Sequence, residues 1–135
     1  MNIVLDVSTA YAVVAQNKAA KKFIPELEQA FEVSAPDLFF SEATNAAWKF
    51  NHIEDLSSED CLHLAENAIL LIDTFYPSES LWREALTLAC EAEHPTYDCI
   101  YWALAKQQDT SLITLDKCLL KACKRLGISF ILYRI

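Results

Sequence analysis

The chain of 135 residues is 53% apolar with one glycine and a net charge of −8, enough apolar material for one domain over residues 1–135 without disulfides or a structural metal. That lone Gly127 excludes the glycine-rich cradles that bind nucleotide cofactors, and no apolar run, the longest candidate being Ala68 to Ile72, approaches the roughly 20 residues a bilayer requires. The charge excludes a uniformly basic nucleic-acid-binding protein, but residues 51–96 hold ten acids against Arg83 alone while residues 97–135 hold six bases against three acids, so the C-terminal part could still face phosphates.

In chain order, Asn2 to Asp6 reads as a short buried strand ending in a carboxylate, and Ser8 with the apolar run Ala10 to Ala15 opens a helix. Lys18 to Phe31 is a second helical stretch, Phe31 to Ala35 a second strand stopped by Pro36, and Asp37 the expected cap of a helix to about Phe50. Ser57, with acids in the turn that follows it, caps a helix to about Leu71. Ile72 to Tyr76 is the third strand, Ser78 or Ser80 begins a helix through Ala92, and Thr96 is the expected cap of the next, Tyr97 to Gln107. Ser111 to Thr114, Lys117 to Leu126 and Ser129 to Leu132 complete the order as strand, helix and strand. Short, continuously apolar strands alternating with helices imply an α/β fold: a three-layer α/β/α sandwich around a mainly parallel, five-stranded sheet.

Ligands of open parallel sheets sit beyond the C-terminal strand ends, at a switch point in strand order. Asp6 ends the first strand and Asp116 lies two residues past the fourth, while Asp98 stands in a first helical turn and Glu42 on the helix after the second strand. Each has an ordinary alternative. Asp6 and Asp116 can cap helices, Asp98 complements a helix dipole, and Glu42 can be a surface residue. Together in one crevice, four carboxylates would repel unless protons or cations intervene, and hard divalent ions with oxygen ligands answer that need. Such a site can polarise a phosphodiester and promote in-line attack by water.

The segments that carry these acids are Ile3-Val-Leu-Asp6-Val-Ser8, Ala35-Pro-Asp-Leu-Phe-Phe-Ser-Glu42-Ala-Thr-Asn45-Ala-Ala-Trp-Lys49, His94-Pro-Thr-Tyr97-Asp98-Cys-Ile-Tyr101-Trp-Ala-Leu-Ala105 and Leu112-Ile-Thr114-Leu-Asp116-Lys117. In order and spacing, over nearly the whole chain, they resemble the PIN-domain nucleases, in particular the VapC-type ribonuclease toxins. The resemblance implies cleavage of RNA with Mg²⁺ or Mn²⁺ and without a nucleotide cofactor. By the family pattern Asp6 and Asp98 match the most dependable metal ligands, and Glu42 and Asp116 the other two, acting directly or through water. Thr114, Ser8 and Asn45 match supporting positions. A cognate antitoxin protein and a homodimer are also implied. The Gln108-Asp109-Thr110 turn, where the family commonly has glycine, and Asn51-His52-Ile53 after Lys49 are departures that touch none of these positions.

Lys117, directly after Asp116, and more weakly Lys49 are candidate phosphate contacts, the alternative for Lys117, Lys121, Lys124 and Arg125 being a complement to a helix C-terminus. His52, His63 and His94 lack zinc spacing and read as surface or capping residues, and Trp48, Trp82, Trp102, Tyr97 and Tyr101 mainly as core. Cys61, Cys90, Cys99, Cys118 and Cys123, without a CxxC pair, read as small buried residues of a reducing cytoplasm. Asp6 cuts the short apolar run at the N-terminus, so no secretory signal is expected. The competing function is a non-catalytic PIN-like module that binds RNA or protein, though clustered negative charge facing phosphate would gain such a module nothing.

Overall fold

In a computed structural model, residues 2–125 and 131–132 are described. Five strands form one sheet in the order β3-β2-β1-β4-β5: β1 Asn2–Leu5, β2 Glu32–Pro36, β3 Thr74–Tyr76, β4 Ser111–Thr114 and β5 Ile131–Leu132. All four pairings are parallel, with Leu5 opposite Ile113 and Val4 opposite Ser34. Parallel neighbours need crossovers, which the helices supply, and helices on the sheet faces explain why Ile3, Val4, Leu5, Leu112 and Ile113 are fully buried. The expected α/β/α sandwich is therefore present. Of the expected last strand, residues 129–130 lie outside the described residues, as does 126 of the helix before it.

The helices are α1 Val7–Val14, a 3₁₀ turn Ala20–Lys22, α2 Ile24–Gln29, α3 Leu38–Glu54, α4 Ser58–Leu70, a second 3₁₀ turn Ser78–Ser80, α5 Trp82–Ala92, α6 Thr96–Gln107 and α7 Lys117–Arg125. The stretch expected as one helix over Lys18 to Phe31 is thus split, because Pro25 cannot donate inside a helix and sits instead in the first turn of α2. Helices α1, α3 and α4 pack together, α5 packs on α6, and α6 lies against β1, β2 and β4. Tyr101, Phe23, Phe39, Leu81 and Leu104 are the large side chains closing this core.

Caps follow local chemistry in part. Ser57 accepts from the Asp60 amide at 3.1 Å, as its position before two acids implies. Ser57→Ala is expected to lower stability by about 1 kcal/mol with no change in fold, and urea unfolding would show a shifted midpoint at constant slope. Asp37 stands at the N-cap position of α3 but makes no side-chain cap bond, and Thr96 does not cap α6. The Asp37 carboxylate turns away to accept from the amide and hydroxyl of Ser78, tying the end of β3 to α3. Pro95 takes the cap position of α6, its φ of −55° and ψ of 140° suiting the entry, and Thr96 becomes the first helical residue. With one glycine in the chain, the left-handed stops after α1, α3, α5 and α6 fall to Gln16, Asp55, Glu93 and Asp109 (φ 55°, 56°, 52° and 49°). Asp109 thus takes the left-handed position in the turn before β4 without a glycine.

Candidate metal centre

The sheet order reverses at β1, which has β2 on one side and β4 on the other, so the crevice between the ends of β1 and β4 is the switch point. A cavity of about 290 Å³ opens there, and Asp6, Glu42, Asp98 and Asp116 line it together with Ser8 and Tyr101. No lysine or arginine is among its lining residues.

Asp6 leaves β1 as α1 begins and is almost fully buried. Its Oδ1 accepts from the Thr9 amide and the Ser8 hydroxyl, both at 2.9 Å, and its Oδ2 accepts from the Thr114 hydroxyl. The helix-cap role and the crevice position therefore coexist, because a carboxylate has about four lone-pair sites. Burial raises the Asp6 pKa above its ordinary value, while bonds from Thr114, Thr9 and Ser8 pull it down. Thr114 is a relay: its oxygen also accepts from the Asp116 amide at 3.0 Å, which fixes the loop that carries the fourth acid. Asp116 caps α7, Oδ1 accepting from the Cys118 and Leu119 amides at 2.9 and 3.1 Å, with Oδ2 outside those two bonds.

Asp98, in the first turn of α6, is half-buried. Burial raises its pKa, the His94 hydrogen bond opposes the rise, and the neighbouring Asp116 carboxylate adds to it. Glu42 projects from α3 and accepts from the Tyr101 hydroxyl at 2.6 Å. Burial raises its pKa too, against that bond, and the charges of Asp98 and Asp6 raise it further. Tyr101 itself is held far above the usual phenol range, first by burial and then by Glu42. Three carboxylates that each resist ionisation, with no basic side chain lining the crevice, fit a divalent cation: it would supply the missing positive charge to oxygen donors of the class Mg²⁺ and Mn²⁺ prefer.

Two residues expected elsewhere complete the site. Tyr101, expected as plain core, is buried but directs its hydroxyl onto Glu42; its spacing of three from Asp98 on one helix was a signal for a shared face. His94, expected as a surface or capping residue, has a side chain only 9% exposed, with Nε2 at 2.7 Å from Asp98 Oδ2. Its spacing of four from Asp98 was masked by the Pro95 break. Asn45, Lys49 and Lys117 do not line the cavity and are exposed, the first two further along α3 and the last at the start of α7. His52 and His63 are exposed as expected. Trp48, Trp82 and Tyr97 are not core but exposed, Tyr97 by 65%, because the neighbouring alanines and leucines already fill the inner faces of their helices. All five cysteines are free thiols, with Cys61, Cys99 and Cys123 buried and Cys90 and Cys118 exposed, contrary to the expectation for those two.

Fold and site together define an α/β protein with an acidic crevice at the switch point of a parallel sheet. The family model described as PIN domain matches residues 3–125, and the chain belongs to the PIN domain family. PIN domains are typically metal-dependent nucleases. Among solved structures, the chain is similar to PAE2754 from Pyrobaculum aerophilum, with a TM-score of 0.65, 23% identity, and 90% of this chain and 84% of that one covered. It is also similar to a toxin–antitoxin complex from Klebsiella pneumoniae, with a TM-score of 0.59, 16% identity and coverage of 84% and 86%. At these identities the likeness concerns the fold. No curated protein matches the sequence.

Proposed function

We propose that the chain is a divalent-metal-dependent endoribonuclease that hydrolyses RNA phosphodiester bonds, acting as the VapC-type toxin of a toxin–antitoxin pair. The observation that carries this reading is the convergence of Asp6, Glu42, Asp98 and Asp116 on one crevice that no lysine or arginine lines. Asp6 and Asp98 are the firm ligands, Asp116 adds Oδ2, and Glu42 acts directly or through water. When bound, Mg²⁺ or Mn²⁺ supplies Lewis acidity to the phosphodiester and to the attacking water. The protein's own residues supply order. Ser8 and Thr114 orient the Asp6 carboxylate, and Tyr101 orients Glu42.

Lys117 and, more weakly, Lys49 are exposed and would contact RNA phosphates, which gives binding a dependence on salt. The acidity of residues 51–96 steers RNA past the C-terminal helix rather than across α4. A cognate antitoxin and a homodimer are part of this reading; the likeness to a toxin–antitoxin complex supports the former. No helix among the described residues is long and apolar enough to cross a membrane, and in this reading the protein acts in the cytoplasm, where its five thiols stay reduced.

The test is cleavage of total cellular RNA by the purified chain in Mn²⁺ or Mg²⁺. Discrete fragments are expected with either ion, and none after EDTA. Cleavage that persists undiminished in EDTA would overturn the mechanism.

A further inference from the structure

The four carboxylates leave His94 without an assigned role, although it is hydrogen-bonded to one of them. It follows α5 and the left-handed Glu93, and its amide donates to the Ala89 carbonyl at 3.1 Å. Its Nε2 approaches Asp98 Oδ2 at 2.7 Å from a side chain that is nine-tenths buried. One possible ligand atom from each of His94, Asp98 and Asp116 lies within 4.8 Å of the others. Asp116 commits Oδ1 to the two amides of α7, so Oδ2 can turn to a ligand. The group is a mixed nitrogen–oxygen set rather than an acidic cluster alone.

Around an ion with bonds of about 2.0–2.2 Å, adjacent ligands at right angles stand about 3 Å apart. The His94–Asp98 pair at 2.7 Å needs to open by only a few tenths of an ångström to admit one. Mg²⁺ draws on carboxylates and retained water, whereas imidazole suits first-row transition ions. A buried imidazole beside the acids therefore bears on which ion the crevice takes.

We propose that His94 is a direct ligand of the ion held between Asp98 and Asp116, and that its nitrogen makes the crevice select Mn²⁺ over Mg²⁺. This rests on the metal-dependent reading above and narrows it. The other two histidines, His52 and His63, are exposed on α3 and α4 and cannot supply that nitrogen without leaving their helices.

The experiment is calorimetric titration of the metal-free chain with MnCl₂ and with MgCl₂, together with pulsed electron paramagnetic resonance of the Mn²⁺ form. Wild type is expected to show ¹⁴N coupling from an imidazole, retained in a His52→Gln/His63→Gln variant and lost in His94→Gln. Loss of even an outer partner of a metal ligand costs about 10–100-fold in affinity, so His94→Gln should weaken Mn²⁺ binding at least tenfold. Mg²⁺ affinity should fall by clearly less than Mn²⁺ affinity, because towards an ion held by oxygens His94 is only an outer partner of Asp98. Bound Mn²⁺ without imidazole coupling, or equal losses for the two ions, overturns the inference and leaves the carboxylate site standing. Mn²⁺ that binds wild type and Asp98→Asn alike overturns both. The wild-type spectrum decides the nitrogen question even if His94→Gln fails to fold. RNA cleavage is not read here, so a failure to cut RNA counts against the nuclease reading alone.

Discussion

Asp98→Asn is expected to reduce RNA cleavage by at least about a thousandfold, with the fold intact. Asparagine has nearly the shape of aspartate and keeps an oxygen to accept from His94, so the local packing at the start of α6 survives. What it loses is the charge. The carboxylate it replaces is half-buried, and its pKa is raised by burial and then by Asp116, a position in which a neutral amide relieves repulsion when no ion is bound. The variant should therefore unfold no earlier than wild type in EDTA, and a loss of activity cannot be put down to unfolding. A bound ion stabilises developing charge by several kcal/mol, and each 1.36 kcal/mol is about tenfold in rate, which sets the scale of the loss. Single-turnover cleavage of a labelled RNA in Mn²⁺ measures it. A rate within tenfold of wild type would remove Asp98 from the site.

Asp6→Asn should separate stability from function more sharply still. With Mn²⁺ at about a hundred times its dissociation constant, wild type gains about 2.7 kcal/mol, roughly 10 °C in melting temperature for a chain of this size. The variant should lose nearly all of that gain. In EDTA the order reverses, and the variant should melt above wild type at pH 8. Burial raises the folded-state pKa of Asp6 above its ordinary 3.8, so between those two values the folded chain holds a proton that the unfolded chain has already released. The stability linked to that proton is full below pH 3.8 and is lost as pH rises through the raised value. Asparagine has no such proton to lose. Its advantage should grow as pH rises from about 4 and vanish on acidification. Glu42 and Asp98 are raised in the same direction, but both remain in the two chains being compared. A difference that does not change with pH would show that the bonds from Ser8, Thr9 and Thr114 offset the burial, and an advantage that shrinks as pH rises would show that they outweigh it.

These expectations combine features legible in the sequence with others that only the packing reveals. The order of strands and helices was legible because it rests on local signals: continuous apolar runs for covered strands, Pro36 after β2, Ser57 before α4. The strand-end acids were legible for a related reason. Asp6 directly follows its apolar strand and Asp116 stands two residues past its own, and parallel sheets place such positions on one edge. Where a local signal had a distant competitor, it misled. Asp37 has the right type for a cap, but Ser78, 41 residues away, takes its carboxylate. Trp48, Trp82 and Tyr97 have apolar neighbours, but those smaller neighbours occupy the inward face.

For the four carboxylates, residue order alone therefore determined which acids stand at strand ends and helix starts, since strand periods and first-turn positions involve only near neighbours. Tertiary structure decided what surrounds each acid. It set Tyr101 against Glu42 across 59 residues and Thr114 beneath Asp6 across 108, and it brought His94 onto Asp98 across the break at Pro95. Burial and charge are properties of a neighbourhood in space. Until the chain closes around the crevice, Asp6, Glu42 and Asp98 lack their raised pKa, and the four acids lack the shared field that suits them to a cation.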